Sequence, residues 1–211
     1  LPAEASAPPP SDPSFLAGHD AHRKRDAARL TVIRDRLVEQ RHPLAQWADY
    51  WELSQRLTRA SVTDVEAFYA RWPGTYVEDR LRNDWLLELG KRRDWQAFRR
   101  DHPRFRMNDD REVTCYAIVT EHLDVRPVRD RALDAWLAQR DADTGCHFMA
   151  GVLRSAGVFG EAEVWRKVRS STEYNRPRAA SAALALLGTA PAAKSAWWDQ
   201  PARTLARPPV D

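Results

Sequence analysis

The residues able to do chemistry in this 211-residue chain are scattered, and none of them forms a catalytic arrangement. Two of the six histidines, His42 and His102, directly precede prolines, which favours a packing role. A general acid needs a carboxyl group whose surroundings raise its pKa. Asp35 and Asp130 are instead each flanked by two arginines, which favours the ionised form. The sequence therefore predicts no catalytic residue.

Basic residues concentrate in one window of the chain, residues 80–106. Nine basic and four acidic side chains give this window a charge of +5, against +3 for the whole chain. Six of its arginines are candidate contacts to an anionic ligand: Arg92, Arg93, Arg99, Arg100, Arg104 and Arg106. A local excess of this kind can face an anionic partner, whereas the chain as a whole has the mixed charges of a solvated surface.

Metal and cofactor sites are not predicted. His147 adjoins Cys146, but the sequence has no CxxC or HxxxH spacing, and a zinc site needs about four ligands. No stretch of the sequence approaches the ~18–20 apolar residues of a membrane span.

Apolar residues recur at helical spacing through most of the chain, so the elements that position these groups are expected to be helices. Val77, Leu81, Trp85 and Leu89 recur at intervals of four, and residues 113–120 keep helical spacing although they are rich in β-branched side chains. Only 8 glycines are present, which argues against a fold rich in tight β-turns. We therefore predict an all-α fold of about ten to twelve helices.

Prolines interrupt this pattern at Pro43, Pro73 and Pro103, thirty residues apart. Residues 65–73 and 95–103 share an Ala-Phe pair followed by proline five residues after the phenylalanine. Proline disfavours helical conformation in the residue before it, so each proline is expected to end a helix. A repeat of helix pairs with a period of ~20–50 residues is typical of an α-solenoid, a superhelix of stacked helical hairpins.

Three regions are distinguished by composition. Residues 1–14 are rich in Pro, Ala and Ser and predict a flexible leader, residues 15–206 the helical superhelix, and residues 207–211 a tail or truncation point. Because the sequence lacks an initiator Met, we expect it to start inside a longer precursor, and two Ala-x-Ala matches near its start fit a signal-peptide cleavage site.

The tryptophans fall into two groups. Five lie on apolar stripes and are predicted to be buried: Trp47, Trp51, Trp85, Trp95 and Trp136. Trp197 and Trp198 are expected to dock on a further helix pair, and stacking on a sugar is the alternative.

Residues 42–169 resemble the N-terminal superhelical (U) domain of the soluble lytic murein transglycosylases of Gram-negative bacteria. The resemblance is carried by residues 42–53 and 68–90, then by Asp94-Trp95 with Phe98, and by Cys115-Tyr-Ala. Its most distinctive part is the run 73–86, which contains Pro-Gly-Thr, then Arg-Leu-Arg and Trp-Leu.

This resemblance implies a periplasmic protein that acts on peptidoglycan. The family cleaves the β-1,4 bond between N-acetylmuramic acid and N-acetylglucosamine without water, leaving 1,6-anhydromuramyl ends. Its U domain and a linker domain form a ring that carries a lysozyme-like catalytic domain with Glu-Ser and Gly-Leu-Met-Gln motifs. Neither motif occurs in this sequence, so the catalytic domain is expected to be absent from it. The implied partners are glycan strands, bound by that missing domain, and the linker and catalytic domains of the same protein.

An exported location bears on Cys115 and Cys146, the only cysteines. In an exported protein an isolated pair favours one disulfide, and members of the family carry cysteines at similar places. The loop would span 31 positions, and closing it would stabilise the fold by about 3–4 kcal/mol. Two buried thiols are the alternative.

Two other functions fit a helical array. A tetratricopeptide-like adaptor would bind a periplasmic protein or peptide, and its reading frame would stop soon after residue 211. A basic nucleic-acid-binding array would lose DNA affinity steeply with added salt. The small net charge argues against a nucleic-acid partner.

Overall fold

The computed structural model describes residues 13–188, and within this range the protein is all-α. The helices are α1 (Pro13–Arg23), α2 (Ala27–Glu39), α3 (Ala45–Gln55), α4 (Val62–Arg71), α5 (Tyr76–Arg92), α6 (Trp95–Asp101), α7 (Arg111–Leu123), α8 (Arg129–Ala138), α9 (Thr144–Ser155), α10 (Glu161–Glu173) and α11 (Pro177–Ala185). Two 3-10 helices lie at Leu57–Arg59 and His102–Arg104. The predicted all-α array is confirmed over this range, and residues 113–120 lie inside α7 as predicted.

The chain divides into two compact units, Leu1–Glu88 (unit 1) and Leu89–Asp211 (unit 2), and the boundary falls inside α5. In unit 1, helices α1, α2 and α3 pack on one another. In unit 2, α7 packs on α8 and α9, while α10 packs on α8 and α11. Each unit is thus built from consecutive helices in contact.

An apolar cluster and a buried carboxylate link helices of unit 1. The fully buried apolar residues of this cluster are Leu37, Ala45 and Ala48. Asp49, which is 1% exposed, accepts hydrogen bonds from Arg71 Nε and Trp72 Nε1, both at 2.8 Å. Because a buried carboxylate without partners is costly, these bonds fix the end of α4 against α3.

Unit 2 contains an apolar core formed where α7, α8, α9 and α10 meet. Its fully buried members include Cys115, Cys146, Met149, Ala150, Leu153, Phe159 and Val164. The Trp136 ring stacks on that of Phe159, with centroids 5.7 Å apart. Ala180, Ala183 and Leu184 of α11 belong to the same cluster, so five successive helices share one core, as stacked hairpins require.

Six turns between helices share one hydrogen-bond pattern. In each, an amide N–H donates to the carbonyl oxygen five residues earlier at 2.7–3.1 Å, as in a Schellman motif. The residue before that amide has a φ between +51° and +72°: Arg25, Arg41, Arg93, Val125, Gly157 and Asn175. Only one of these six is glycine, so a low glycine content does not mean few left-handed turns here.

The turns at Arg93, Val125 and Gly157 are each 32 residues apart. They join α5 to α6, α7 to α8, and α9 to α10. This spacing is within the range of helix-pair repeats. The repeat in this part of the chain is therefore marked by turns with a left-handed residue.

The three prolines at thirty-residue spacing lie between α-helices. Pro43 and Pro73 lie in connections, and Pro103 lies in the 3-10 helix that follows α6. The shared phrase occupies α4 and α6, where Phe68 and Phe98 are both fully buried. The sequence repeat therefore corresponds to a repeated packing position.

The tryptophans predicted to be core residues differ in burial. Trp85 and Trp136 are 2% and 3% exposed, which confirms the prediction for them. Trp47, Trp51 and Trp95 are only half-buried, although Trp51 packs against the core of unit 1 and Trp95 against that of unit 2. Residues 13 and 14, predicted to belong to the flexible leader, lie instead in the first turn of α1. The rest of the predicted leader, residues 189–206 of the predicted superhelix with Trp197 and Trp198, and the tail at 207–211 lie outside the described residues.

Candidate functional site

The six arginines predicted as a patch for an anionic ligand are all exposed and belong to unit 2. They follow the chain from the end of α5, through α6, to the segment before α7: Arg92, Arg93, Arg99, Arg100, Arg104 and Arg106. Among them, Arg99 and Arg104 already pair with acids. Arg99 Nη2 lies 2.9 Å from Asp124 Oδ1, and Arg104 Nη1 lies 3.5 Å from Asp101 Oδ1.

Another arginine of the basic window is buried. Arg82 is 1% exposed, its Nη2 lies 2.7 Å from Glu78 Oε1, and its guanidinium covers the Tyr69 ring at 4.2 Å. The excess charge counted along residues 80–106 is therefore partly compensated in the fold. A ligand-binding role for the six exposed arginines stays a prediction.

Two carboxyl groups of unit 2 have raised pKa values, and both cap the same helix. Burial, aided by the charge of Asp143, raises the pKa of Glu112, and burial also raises the pKa of Asp143. Glu112 Oε1 accepts a hydrogen bond from Gly145 N–H at 2.8 Å, and Asp143 Oδ1 accepts one from Cys146 N–H at 2.6 Å. Both carboxyl groups thus accept hydrogen bonds from the first amides of α9, so their role is to cap that helix.

Cys115 of α7 and Cys146 of α9 form a disulfide, as the sequence predicted, with Cα atoms 4.9 Å apart. Both residues are fully buried. The bridge lies beside the hydrogen bond from Gly145 N–H to Glu112, so a covalent and a polar contact together fix the start of α9 on α7.

Across residues 13–188, no group of three His, Cys, Asp or Glu side chains is arranged to hold a metal ion. None of the helices in that range is long and apolar enough to cross a membrane. His42 Nδ1 accepts a hydrogen bond from Leu44 N–H at 3.1 Å, and the His102 ring stacks on Phe98 at 5.4 Å. Burial lowers the pKa of His102. His102 thus has the packing role that the sequence predicted, whereas His42 binds the backbone of the turn before α3.

A basic groove of about 780 Å³ lies in unit 1, where the end of α1, the start of α2 and the end of α3 meet. Its charged lining residues are Arg23, Arg25, Arg56, Arg59 and Glu52. Arg56 Nε lies 2.9 Å from Glu52 Oε1, and its Nη1 lies 3.2 Å from Asp64 Oδ1. Among the described residues, no carboxylate lies within ion-pairing distance of the other three arginines. The groove therefore has a net positive charge.

Contacts between α1 and α3 fix the walls of the basic groove. Gln55 Nε2 donates a hydrogen bond to His22 O at 3.2 Å, and the Trp51 ring stacks on the His22 ring with centroids 5.4 Å apart. The next turn closes through Asp26 N–H and Ala21 O at 2.9 Å. The backbone that carries Arg23 and Arg25 is therefore held in place by the packing of α1 on α3.

An aromatic strip continues from this groove along α3. It is formed by His22, Trp51, Trp47 and Tyr76, and the centroids of Trp51 and Trp47 lie 6.5 Å apart, those of Trp47 and Tyr76 6.1 Å apart. Tyr76 is 60% exposed, whereas the two tryptophans are half-buried. The Trp51 ring also packs on Phe15 and His19 and on the core of unit 1, so Tyr76 provides most of the ring surface that the strip presents to solvent.

Polar groups accompany the aromatic strip. Tyr50, whose ring meets that of Trp47 edge-on, donates a hydrogen bond from its hydroxyl to Asp84 Oδ2 at 2.7 Å. Burial raises the pKa of Tyr50 to about 12, so the hydroxyl keeps its proton at neutral pH. The strip thus combines ring faces with hydrogen-bonding groups, as ligand sites commonly do.

Sequence reasoning missed the basic groove. Its arginines come from two segments, residues 23–25 and 56–59, which only the fold brings together. A local signal was present in the run Arg23-Lys24-Arg25 at the end of a helix, but counting charge by window favoured residues 80–106.

No family model and no curated protein matches the sequence. Among solved structures, the chain is similar to an inactive variant of the lytic transglycosylase Slt from Pseudomonas aeruginosa. The TM-score is 0.61 at 22% sequence identity, over 93% of this chain and 32% of that one. This likeness shows a common fold, and the chain spans about a third of the length of that enzyme.

Proposed function

We propose that this chain is the superhelical U-domain part of a periplasmic lytic transglycosylase that cleaves peptidoglycan strands to 1,6-anhydromuramyl ends. The observation that carries the proposal is the likeness in fold to the Pseudomonas enzyme over 93% of this chain. The resemblance of residues 73–86 to that family supports it independently. The disulfide fits an oxidising compartment such as the periplasm.

The role proposed for the chain is that of a scaffold that supports and orients a catalytic domain. The lyase chemistry is assigned to that other domain, because the two carboxyl groups of unit 2 with raised pKa values both cap α9. Partners in this role are peptidoglycan strands and the linker and catalytic domains of the same protein.

The test is digestion of purified peptidoglycan by the complete gene product, with mass spectrometry of the released fragments. The proposal expects 1,6-anhydromuropeptides, which are lighter by one water than hydrolysed fragments. Residues 1–211 alone should release none. Release of only hydrolysed ends by the complete protein, or of anhydro fragments by this chain alone, would contradict the proposal.

The 32-residue spacing of the turns at Arg93, Val125 and Gly157 favours a second candidate, a tetratricopeptide-like adaptor. An adaptor would bind a periplasmic protein or peptide, and its complete gene product would leave peptidoglycan uncut. The same digestion therefore separates the two functions.

A further inference from the structure

We infer that the basic groove of unit 1 binds the carboxylate-bearing stem peptide of peptidoglycan, an inference that rests on the proposed function. The ligand class follows from charge. Arg23, Arg25 and Arg59 line the groove without an ion-pairing carboxylate among the described residues, whereas Glu52 is already paired with Arg56. Guanidinium groups bind carboxylates through charge-assisted and often bidentate hydrogen bonds.

The groove is held in shape before a ligand arrives. Gln55 ties the end of α3 to His22 O, and Trp51 stacks on the His22 ring. On the other side, Arg56 is held by Glu52 and Asp64, at 2.9 and 3.2 Å. A ligand therefore has only the arginine side chains to order, which lowers the entropic cost of binding.

The aromatic strip indicates that the peptide is attached to a sugar. Trp51, whose ring is covered by side chains of α1, connects the groove through Trp47 to Tyr76, whose 60% exposed ring is the face open to a ligand. Aromatic faces pack well on the apolar faces of sugar rings. A glycopeptide places carboxylates and sugar rings side by side, which matches the adjacent groove and strip.

A nucleic acid fits this surface less well. Bases can stack on aromatic rings, but the phosphate backbone needs a continuous basic track. Asp84 lies beside the strip, with Oδ2 accepting the Tyr50 hydroxyl hydrogen bond, and would repel phosphates. The charge pattern therefore favours a few carboxylates over a polyphosphate.

The test is isothermal titration calorimetry of residues 1–211 with three probes. They are a disaccharide-tetrapeptide muropeptide, the same muropeptide with its carboxyl groups amidated, and the disaccharide without peptide. The muropeptide should bind most tightly, and amidation should weaken binding about tenfold through loss of the arginine contacts. Added salt should weaken binding of the acidic muropeptide more than that of the amidated one.

Variants locate the site. The triple variant Arg23→Gln, Arg25→Gln, Arg59→Gln should lose about tenfold in affinity for the muropeptide. The double variant Arg23→Gln, Arg59→Gln leaves the turn residue Arg25 unchanged and should lose affinity without any effect on folding. The matched control removes three exposed arginines of unit 2: Arg166→Gln, Arg169→Gln and Arg178→Gln. It should bind within about twofold of wild type, because these arginines do not line the groove.

Two results of these titrations would overturn the inference: unchanged affinity in both groove variants, or equal binding of the acidic and amidated muropeptides. A further titration with a single-stranded DNA oligonucleotide of equal charge would also overturn it if the DNA bound more tightly than the muropeptide. Anhydromuropeptide release by the complete protein together with unchanged affinity in the groove variants would refute only the groove. Groove-dependent muropeptide binding by a complete protein that releases no anhydro fragments would refute only the proposed function.

Discussion

Gly90 lies directly against the ring of Tyr116, so that a Cβ on Gly90 would fall 2.5 Å from both Cγ and Cε2 of that ring. Gly145 approaches the same ring, and a Cβ there would lie 2.9 Å from Cε2. Tyr116 itself is 1% exposed. The ring thus fills space that two side chains would otherwise occupy, and this brings α5 and α9 close to α7.

Gly90→Ala is expected to destabilise the protein although alanine favours helices. Overpacking against a fixed buried ring costs about 1–3 kcal/mol beyond the gain in helix propensity. Urea unfolding followed by circular dichroism measures the change. The matched control is Gly151→Ala in α9, where the new Cβ would lie 3.8 Å from Leu186 Cδ2, an ordinary contact. That variant should gain about 0.5–1 kcal/mol, and equal effects of the two substitutions would contradict the close approach.

Val125→Gly is expected to stabilise the turn between α7 and α8. Val125 has a φ of +60° and is 91% exposed, so its side chain is strained and contributes little packing. The substitution removes the strain of a β-branched residue in the left-handed conformation, and the greater conformational entropy of glycine in the unfolded chain offsets part of this gain. The net effect should be a rise of about 1 kcal/mol in the free energy of unfolding. The reciprocal change Gly157→Val, at a φ of +72°, should lower it by a similar amount. A melting temperature that stays the same in both variants would show that these turns carry no strain.

These turns also show which features of the fold could not be predicted from the sequence. Helical spacing was enough to assign residues 113–120 to a helix, because the apolar period is read directly from the chain. The hairpin turns gave no comparable signal, since Arg25, Arg93 and Val125 occupy positions where glycine is the usual marker.

The disulfide, the ion pairs and the basic groove could be predicted only in part, because most of them depend on contacts between segments that are distant in the sequence. Cys115 and Cys146 are the only cysteines, so an expected exported location was enough to favour a disulfide over two buried thiols, and the disulfide is present. Ion pairs such as Arg99 with Asp124, and the basic groove of residues 23–59, depend on which segments the fold brings together. Charge counted along the sequence does not contain that information.

Reduction of the disulfide is expected to lower the free energy of unfolding by about 3–4 kcal/mol, because the bridge closes a loop of 31 positions. Urea unfolding with and without reductant measures this loss. The double variant Cys115→Ala, Cys146→Ala should be destabilised at least as much and should not respond to reductant. If reductant left the wild-type transition unchanged, the bridge would not constrain the chain.

Lys167 gives a pH-dependent contribution to stability. It is 4% exposed, and its Nζ donates hydrogen bonds to the carbonyl oxygens of Trp136, at 2.6 Å, and Gln139. Burial lowers the pKa of Lys167 from 10.5 to about 8, although Asp143 and Asp141 act in the opposite direction. Between about pH 8 and pH 10.5 the unfolded chain therefore binds more protons at this residue than the folded one, so this contribution to stability rises with pH.

Comparison with Lys167→Met isolates this effect, because every other titrating group is common to both proteins. The wild-type free energy of unfolding, relative to the variant, should increase steadily between pH 8 and pH 10.5 and stay constant below about pH 7.5. Urea titrations at fixed ionic strength across this range measure the difference. Parallel profiles for the two proteins would mean that Lys167 keeps its proton as readily in the folded state as in water. An opposite slope would mean that its two carbonyl partners and the nearby aspartates outweigh the cost of burial.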